Sequence, residues 1–292
     1  MTQSLRLALL LCAGCTWRAP LLTSVDAGQP DAALPFSPDV FADAADPFPD
    51  AAPVVSSLCQ GRPKIDAGTG LGEGLLVWYR CEAVNGTTLP DSSGRGHDGK
   101  LASGSGAASG PVIAPGKVGN GLDLVYAKEG YVTLPAGLLT DACEATIATW
   151  VYINDNTNAW TRLWDFGNDT NTYMFLTPIT NTDNVVRFGI TLTGNQNEQN
   201  LKGKAEVPTM TWVHVAVVLG PMGGELYFNG EVVASNPTLV LRPADLGRTS
   251  HNYIGRSQFV SDDPYLDATI DEFRVYDRAL STDEIKALLT VR

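Results

Sequence analysis

From residue 58 onward the sequence is a succession of short apolar runs, each cut off by Gly, Asn, Asp or Pro. Runs of this kind, rich in Val, Ile, Thr and aromatic residues, form strands, because such side chains fit a pleated surface and the interruptions are turn residues. Residues 75–81, 145–153, 185–192, 211–219, 226–228, 231–235 and 270–276 each fit one strand. Val186, Phe188, Ile190 and Leu192 alternate with Val185, Arg187, Gly189 and Thr191, the period-two pattern of a half-buried strand. Residues 145–153 are apolar on both faces. Asn229-Gly230 between two runs marks a two-residue hairpin, whose type I′ turn needs positive φ at both central positions. One helix is expected, near the end: Ser281-Thr282-Asp283-Glu284 has capping-box spacing, and Ile285, Leu288 and Leu289 supply an apolar stripe. The fold class is therefore all-β, a sandwich of antiparallel sheets with a short C-terminal helix. With no internal repeat and no second linker, residues 58–292 read as one large domain.

The preceding residues have another character. Residues 1–14 carry one basic side chain, Arg6, then the apolar stretch from Leu7 to Gly14, a signal segment rather than structure. Ala13-Gly14-Cys15 resembles the bacterial lipobox, which implies cleavage before Cys15 and lipidation of its thiol; Cys12 stands where that family usually has Leu, and a secreted form without lipid is the alternative. Thr16 follows in place of the Asp that resembles an inner-membrane retention signal, which points to an outer membrane or cell surface. Two or three acyl chains would then be the chain's contact with the membrane. Residues 15–57 form a tether with seven prolines, six aspartates and Arg18 as the single basic residue, too polar to bury a core.

Charge and residue counts exclude several chemistries. The net charge is −12, and the six tether aspartates account for half of it. Such a chain repels phosphate backbones, so nucleic-acid binding is not expected. Three histidines and five cysteines are too few for His-rich metal sites or zinc ribbons. No Gly-x-Ser-x-Gly elbow, phosphate-binding loop or His-Glu-x-x-His is present. Beyond the N-terminus, no uncharged apolar run approaches the roughly 18 residues that span a bilayer.

Six segments in order carry a resemblance: Leu76-Val77-Trp78-Tyr79 with Asp91 to Gly99; Gly119-Asn120-Gly121-Leu122; Thr146 to Val151; Trp212-Val213-His214-Val215-Ala216; Leu226 to Gly230; and Ile270 to Ser281. Together they resemble the laminin-G-like, concanavalin A-like jelly rolls of bacterial secreted proteins. The resemblance implies a jelly-roll sandwich, and it leans toward carbohydrate binding because the stretch from Arg162 to Asn168 looks like versions attached to carbohydrate-active enzymes. Hydrolytic relatives carry Glu-x-Asp-x-x-Glu on one strand, and neither Asp165 nor Asp267 to Glu272 matches it. A non-catalytic module is expected, with a glycan hydrolase as the weaker alternative.

The candidate ligand face is Trp160, Arg162, Trp164 and Phe166 alternating along one strand, Tyr173 and Phe175 on the next, and Asn158 beside them. Aromatic rings there would stack on a polysaccharide or glycoconjugate, with Trp160 the exposed platform and Trp164 and Phe166 also readable as core. A surface protein is the alternative partner. By strand parity Asp271 shares the inward face with Phe273 and Val275, so its charge needs compensation. Relatives place structural calcium where the first strand, its following loop and the last strand meet, which maps onto Glu82, Asp91 and Asp271 with carbonyls near His97 and Asp98. Pairing of Asp271 with Arg80, Arg274 or Arg278 is the alternative. His214, on a face with Trp212, Ala216 and Val218, reads as a hydrogen-bonded core histidine. In an oxidising compartment Cys59, Cys81 and Cys143 leave one free thiol. Relatives carry an apolar core residue at Cys81, which favours Cys59–Cys143, with Cys81–Cys143 as the alternative.

Overall fold

The computed structural model describes residues 58–59, 70–106, 110–154 and 158–290; the signal segment, Cys15 and the tether lie outside them. In chain order the strands are β1 (Leu75–Tyr79), β2 (Thr88–Leu89), β3 (Gly99–Ser103), β4 (Val112–Pro115), β5 (Asn120–Asp123), β6 (Gly130–Leu134), β7 (Ala145–Ile153) and β8 (Trp164–Gly167). They continue with β9 (Tyr173–Thr177), β10 (Arg187–Thr191), β11 (Gln199–Lys202), β12 (Trp212–Gly220), β13 (Gly223–Phe228), β14 (Glu231–Asn236), β15 (His251–Ile254) and β16 (Ala268–Tyr276), before helix α1 (Thr282–Leu288). The first sheet runs β14-β13-β12-β7-β16-β5-β4, with β1 also paired to β16; the second runs β11-β10-β9-β8-β15-β6-β3-β2. This is the expected jelly-roll sandwich of two antiparallel sheets.

The core lies between the sheets. On β12, Val213, Val215, Val217 and Leu219 face it, while His214, Ala216 and Val218 face away. Strand β7 does the same with Ile147, Val151 and Ile153 against Ala148 and Trp150. Its second apolar face is explained by α1: Ala148, Ala216, Val218, Tyr227 and Tyr276 form a second cluster with Ile285 and Leu288 of the helix. Burying each of those two helix side chains contributes roughly 1.5–3 kcal/mol. The helix starts where the capping box places it, Ser281 Oγ accepting from the Glu284 N–H at 3.3 Å and Glu284 Oε2 accepting from the Ser281 N–H at 2.8 Å. Asn229 and Gly230 take φ of 48° and 85° between the paired Phe228 and Glu231, as the hairpin signal requires.

Strand parity misplaces Asp271. Glu272 adopts φ 53° and forms a bulge, so that Asp271 pairs with Trp150 and Arg274 with Ala148. The extra residue shifts the face: Ile270, Phe273 and Val275 enter the core, whereas Asp271 sits with Arg274 on the opposite side. His214 is fully buried on that same side, its ring edge-on to Trp150 at 5.3 Å. Neither ring nitrogen has a hydrogen-bond partner, contrary to expectation, and burial pushes the imidazole pKa down to about 3, so it stays neutral. The Cys59–Cys143 disulfide is present, with Cα atoms 5.5 Å apart, and Cys81 is a buried free thiol.

Candidate functional site

The outer face of the second sheet carries the polar and aromatic side chains that its alternation turns away from the core. Trp164, Phe166, Met174, Leu176, Phe188 and Ile254 point inward. Asp165, Tyr173, Phe175, Arg187 and Tyr253 occupy the intervening positions. Register places Gly189, Phe175, Asp165 and Tyr253 in one row across β10, β9, β8 and β15. A Cβ at Gly189 would stand 2.8 Å from the Phe175 ring, so the absent side chain lets that ring lie flat.

Above the row lies a buried charged network. Arg162 places its guanidinium 4.2 Å from the Phe175 ring centroid and pairs with Asp165 at 3.3 Å and Asp263 at 2.7 Å. Asp165 also accepts from the Gln258 backbone N–H at 3.1 Å and its side chain at 3.3 Å. Burial lifts the Asp165 carboxyl to about 7, with Arg162 opposing the rise. Beside it Tyr173 donates to Glu198 at 2.6 Å, and Glu198 pairs with Arg187. Desolvation and the Glu198 charge hold the Tyr173 hydroxyl protonated.

Trp160 rims this network. It is half-buried, with φ at 66° in the left-handed region that a bulky side chain adopts at a cost of about 1–3 kcal/mol. The Ile179 carbonyl accepts its N–H at 3.0 Å, and its own carbonyl accepts from Arg162 Nη1. The guanidinium carbons of Arg162 and Arg187 lie 5.9 Å and 5.7 Å from its ring centroid. Phe259, half-buried, meets Tyr173 edge-on at 5.5 Å. Rings fixed beside hydrogen-bonding groups suit a ligand with alternating apolar faces and hydroxyls.

Of the residues expected on one face, Trp160, Arg162 and Tyr173 do come together, and Asn158 is half-buried two residues from Trp160. Trp164 does not join them. The strand begins only at Trp164, and Leu163 and Trp164 both enter the core, so Arg162 is left on the opposite face from Trp164. Sequence reasoning missed Phe259, Tyr253, Tyr131 and Arg256. The alternation Tyr131, Val132, Thr133, Leu134 was a usable signal for β6; Arg256 and Phe259, in the loop after β15, had none.

The three carboxylates assigned to calcium do not converge. Asp91 already accepts from the backbone N–H groups of Trp78, Ser93 and His97 and from the Ser93 hydroxyl, at 2.6–3.0 Å. Both its oxygens serve the 91–98 loop. Glu82 accepts from the Asn120 N–H at 3.1 Å and Asp271 from the Val118 N–H at 2.8 Å, on either side of one turn. Among the described residues no three His, Cys, Asp or Glu side chains gather around one point. The set does not fit a cation that takes six to eight oxygen ligands. Nor do the arginines pair with Asp271: Arg80 and Arg274 pair with Glu272, and Arg278 with Glu284. Asp271 Oδ1 is buried without a partner, and burial lifts the carboxyl to about 7.

A two-sheet jelly roll with a rimmed polar and aromatic outer face defines a lectin-like sandwich. The chain belongs to the concanavalin A-like lectin/glucanases superfamily, whose family profile matches residues 127–286, more than half of its length. No curated protein matches it. Among solved structures it is similar to domain 4 of AbnA, an extracellular arabinanase from Geobacillus stearothermophilus, in complex with arabinotriose: 21% identity, TM-score 0.60, covering 74% of this chain and 98% of that one. Botulinum neurotoxin type C, which interacts with two ganglioside molecules, matches at 15% identity and TM-score 0.56, over 74% of this chain and 50% of that one. A Trypanosoma rangeli sialidase in complex with 2,3-difluoro-KDN matches at 20% identity and TM-score 0.53, over 74% and 32%. At these identities the likeness is one of fold, and the chain spans half or less of the neurotoxin and sialidase chains.

Proposed function

We propose that residues 58–292 form a non-catalytic glycan-binding module, held at a bacterial outer membrane or cell surface by a lipid on Cys15 and the tether of residues 15–57. The observation that carries this reading is the half-exposed Trp160, fixed at the rim of the Arg162–Asp165–Asp263 network beside Phe259. Pre-ordered groups of this kind bind without losing rotamer freedom, which favours a rigid polyhydroxylated ligand. Structural neighbours that are carbohydrate-binding or glycoside hydrolase domains agree with it. Binding rather than hydrolysis is favoured because Asp165 and Asp263 both pair with Arg162, and Glu198 with Arg187 and Tyr173, so these three acids are engaged. Calcium takes no part in this reading.

A protein partner is the second reading. It has in its favour an apolar crevice of about 260 Å³ lined by Val186, Phe228, Val232 and Val233, with Val232 exposed. The two are separated by a glycan array probed with the full chain and with Trp160→Ala, since Trp160 is not among the residues that line the crevice. For the anchor, a clickable palmitate analogue fed to expressing cells should label the wild type and not Cys15→Ser; equal labelling would refute lipidation at that cysteine.

A further inference from the structure

Three arginines stand on or beside the outer face of the second sheet, and the protein itself neutralises two: Arg162 with Asp165 and Asp263, Arg187 with Glu198. Arg256 differs. Among the described residues no carboxylate pairs with it, and the acceptor its guanidinium reaches is the Tyr131 hydroxyl, 2.6 Å from Nη1. Glu129, whose charge acts on neighbouring Tyr265, makes no ion pair with it. The guanidinium carbon lies 4.6 Å from the Tyr131 ring centroid and 5.0 Å from that of Tyr253, and Nε is buried with no partner.

Rings against the guanidinium leave its edge as the direction of recognition, and that planar fork of N–H donors matches a carboxylate in two parallel bonds. A half-buried cation held by a hydroxyl and two rings still lacks an opposite charge, which a ligand carboxylate would supply. Tyr131, Tyr253 and Tyr265 are all half-buried, offering ring edges and hydroxyls to whatever bears that carboxylate. Tyr253 is the register partner of Asp165, so this cluster continues the face rimmed by Trp160.

We infer that Arg256 is an anion-reading subsite of this face, and that the glycan it takes is acidic: a hexuronate or another sugar with a carboxylate on its ring. The inference rests on the glycan reading for its physiological ligand, and the two fail separately in the following test.

The side-chain Nε–Hε resonance of Arg256, assigned by its loss in Arg256→Lys, is followed in the full chain at pH 6 during titration with D-glucuronate, D-glucose or acetate. Glucuronate should shift it at concentrations where glucose and acetate do not, and Arg256→Lys, followed by the backbone amides of residues 253–259, should bind glucuronate about tenfold or more weakly than wild type followed the same way. No shift, or an equal shift with acetate, would overturn the subsite. A glycan array supplies the independent readout. Array hits confined to neutral glycans and indifferent to Arg256→Lys would also overturn the subsite while sustaining the module; an empty array beside a glucuronate-specific shift would sustain the subsite and refute the module.

Discussion

Arg162 and Asp263, separated by 101 positions in the chain, meet at 2.7 Å and tie the loop after β15 to the outer face of the second sheet. The same guanidinium pairs with Asp165 and lies over Phe175, so one side chain joins the loop, the sheet and the rim residue Trp160. Arg162→Ala leaves two acids without their cation, one of them fully buried. Unfolding in urea should show a loss of about 3–5 kcal/mol, and amides 257–263 should exchange faster with solvent. An unchanged midpoint with unchanged exchange would show that the network has no structural role.

Asp271 gives stability a definite pH dependence. Burial lifts its carboxyl from 3.8 to about 7, so the folded state keeps a proton that the unfolded chain releases. A raised pKa contributes stability that is full below about pH 4 and is lost as pH rises through 7. Asp165, lifted in the same direction, adds to the same slope. Asp271→Asn should therefore raise Tm relative to wild type at pH 8 and not at pH 4. A parallel offset at both values would refute the assignment.

How much of this was legible in the sequence follows from how local each determinant is. The Asn229-Gly230 turn and the Ser281–Glu284 cap are made by neighbouring residues, and both stand where residue chemistry places them. The face of Asp271 was not legible, because the bulge at Glu272 uses a residue with no preference for positive φ and reverses the parity count. Trp164 was misplaced for a related reason: the chain is irregular between Trp160 and Leu163, where a period of two was assumed. The Arg256–Tyr131 contact joins residues 125 positions apart, and only the strand order of the second sheet brings them together.

The thiols should behave oppositely. Cys59 and Cys143 close a separation of 84 residues, and replacing both by Ser should cost about 2–5 kcal/mol. Cys81 is buried, and burial, followed by the charges of Asp271, Glu272 and Glu82, keeps its thiol protonated. Iodoacetamide should leave it unmodified in the native protein and alkylate it fully in guanidinium, as read by mass spectrometry; rapid native labelling would contradict this burial.

Calcium should not change stability. A structural ion at 100 times its Kd would add about 2.7 kcal/mol, several degrees in a domain of this size. Scans in excess calcium and in chelator should instead agree within about 1 °C, given that Asp91 is engaged with the 91–98 loop. A calcium-dependent rise of several degrees would require a site built from other oxygens.

The most direct test of the glycan module is the array itself, with the full chain and Trp160→Ala in parallel and near-ultraviolet circular dichroism to establish that both are folded. Discrete glycan hits that disappear in the folded variant are the expected result. No binding by the folded wild type, or hits that persist unchanged without the Trp160 ring, would contradict the assignment of this face to carbohydrate.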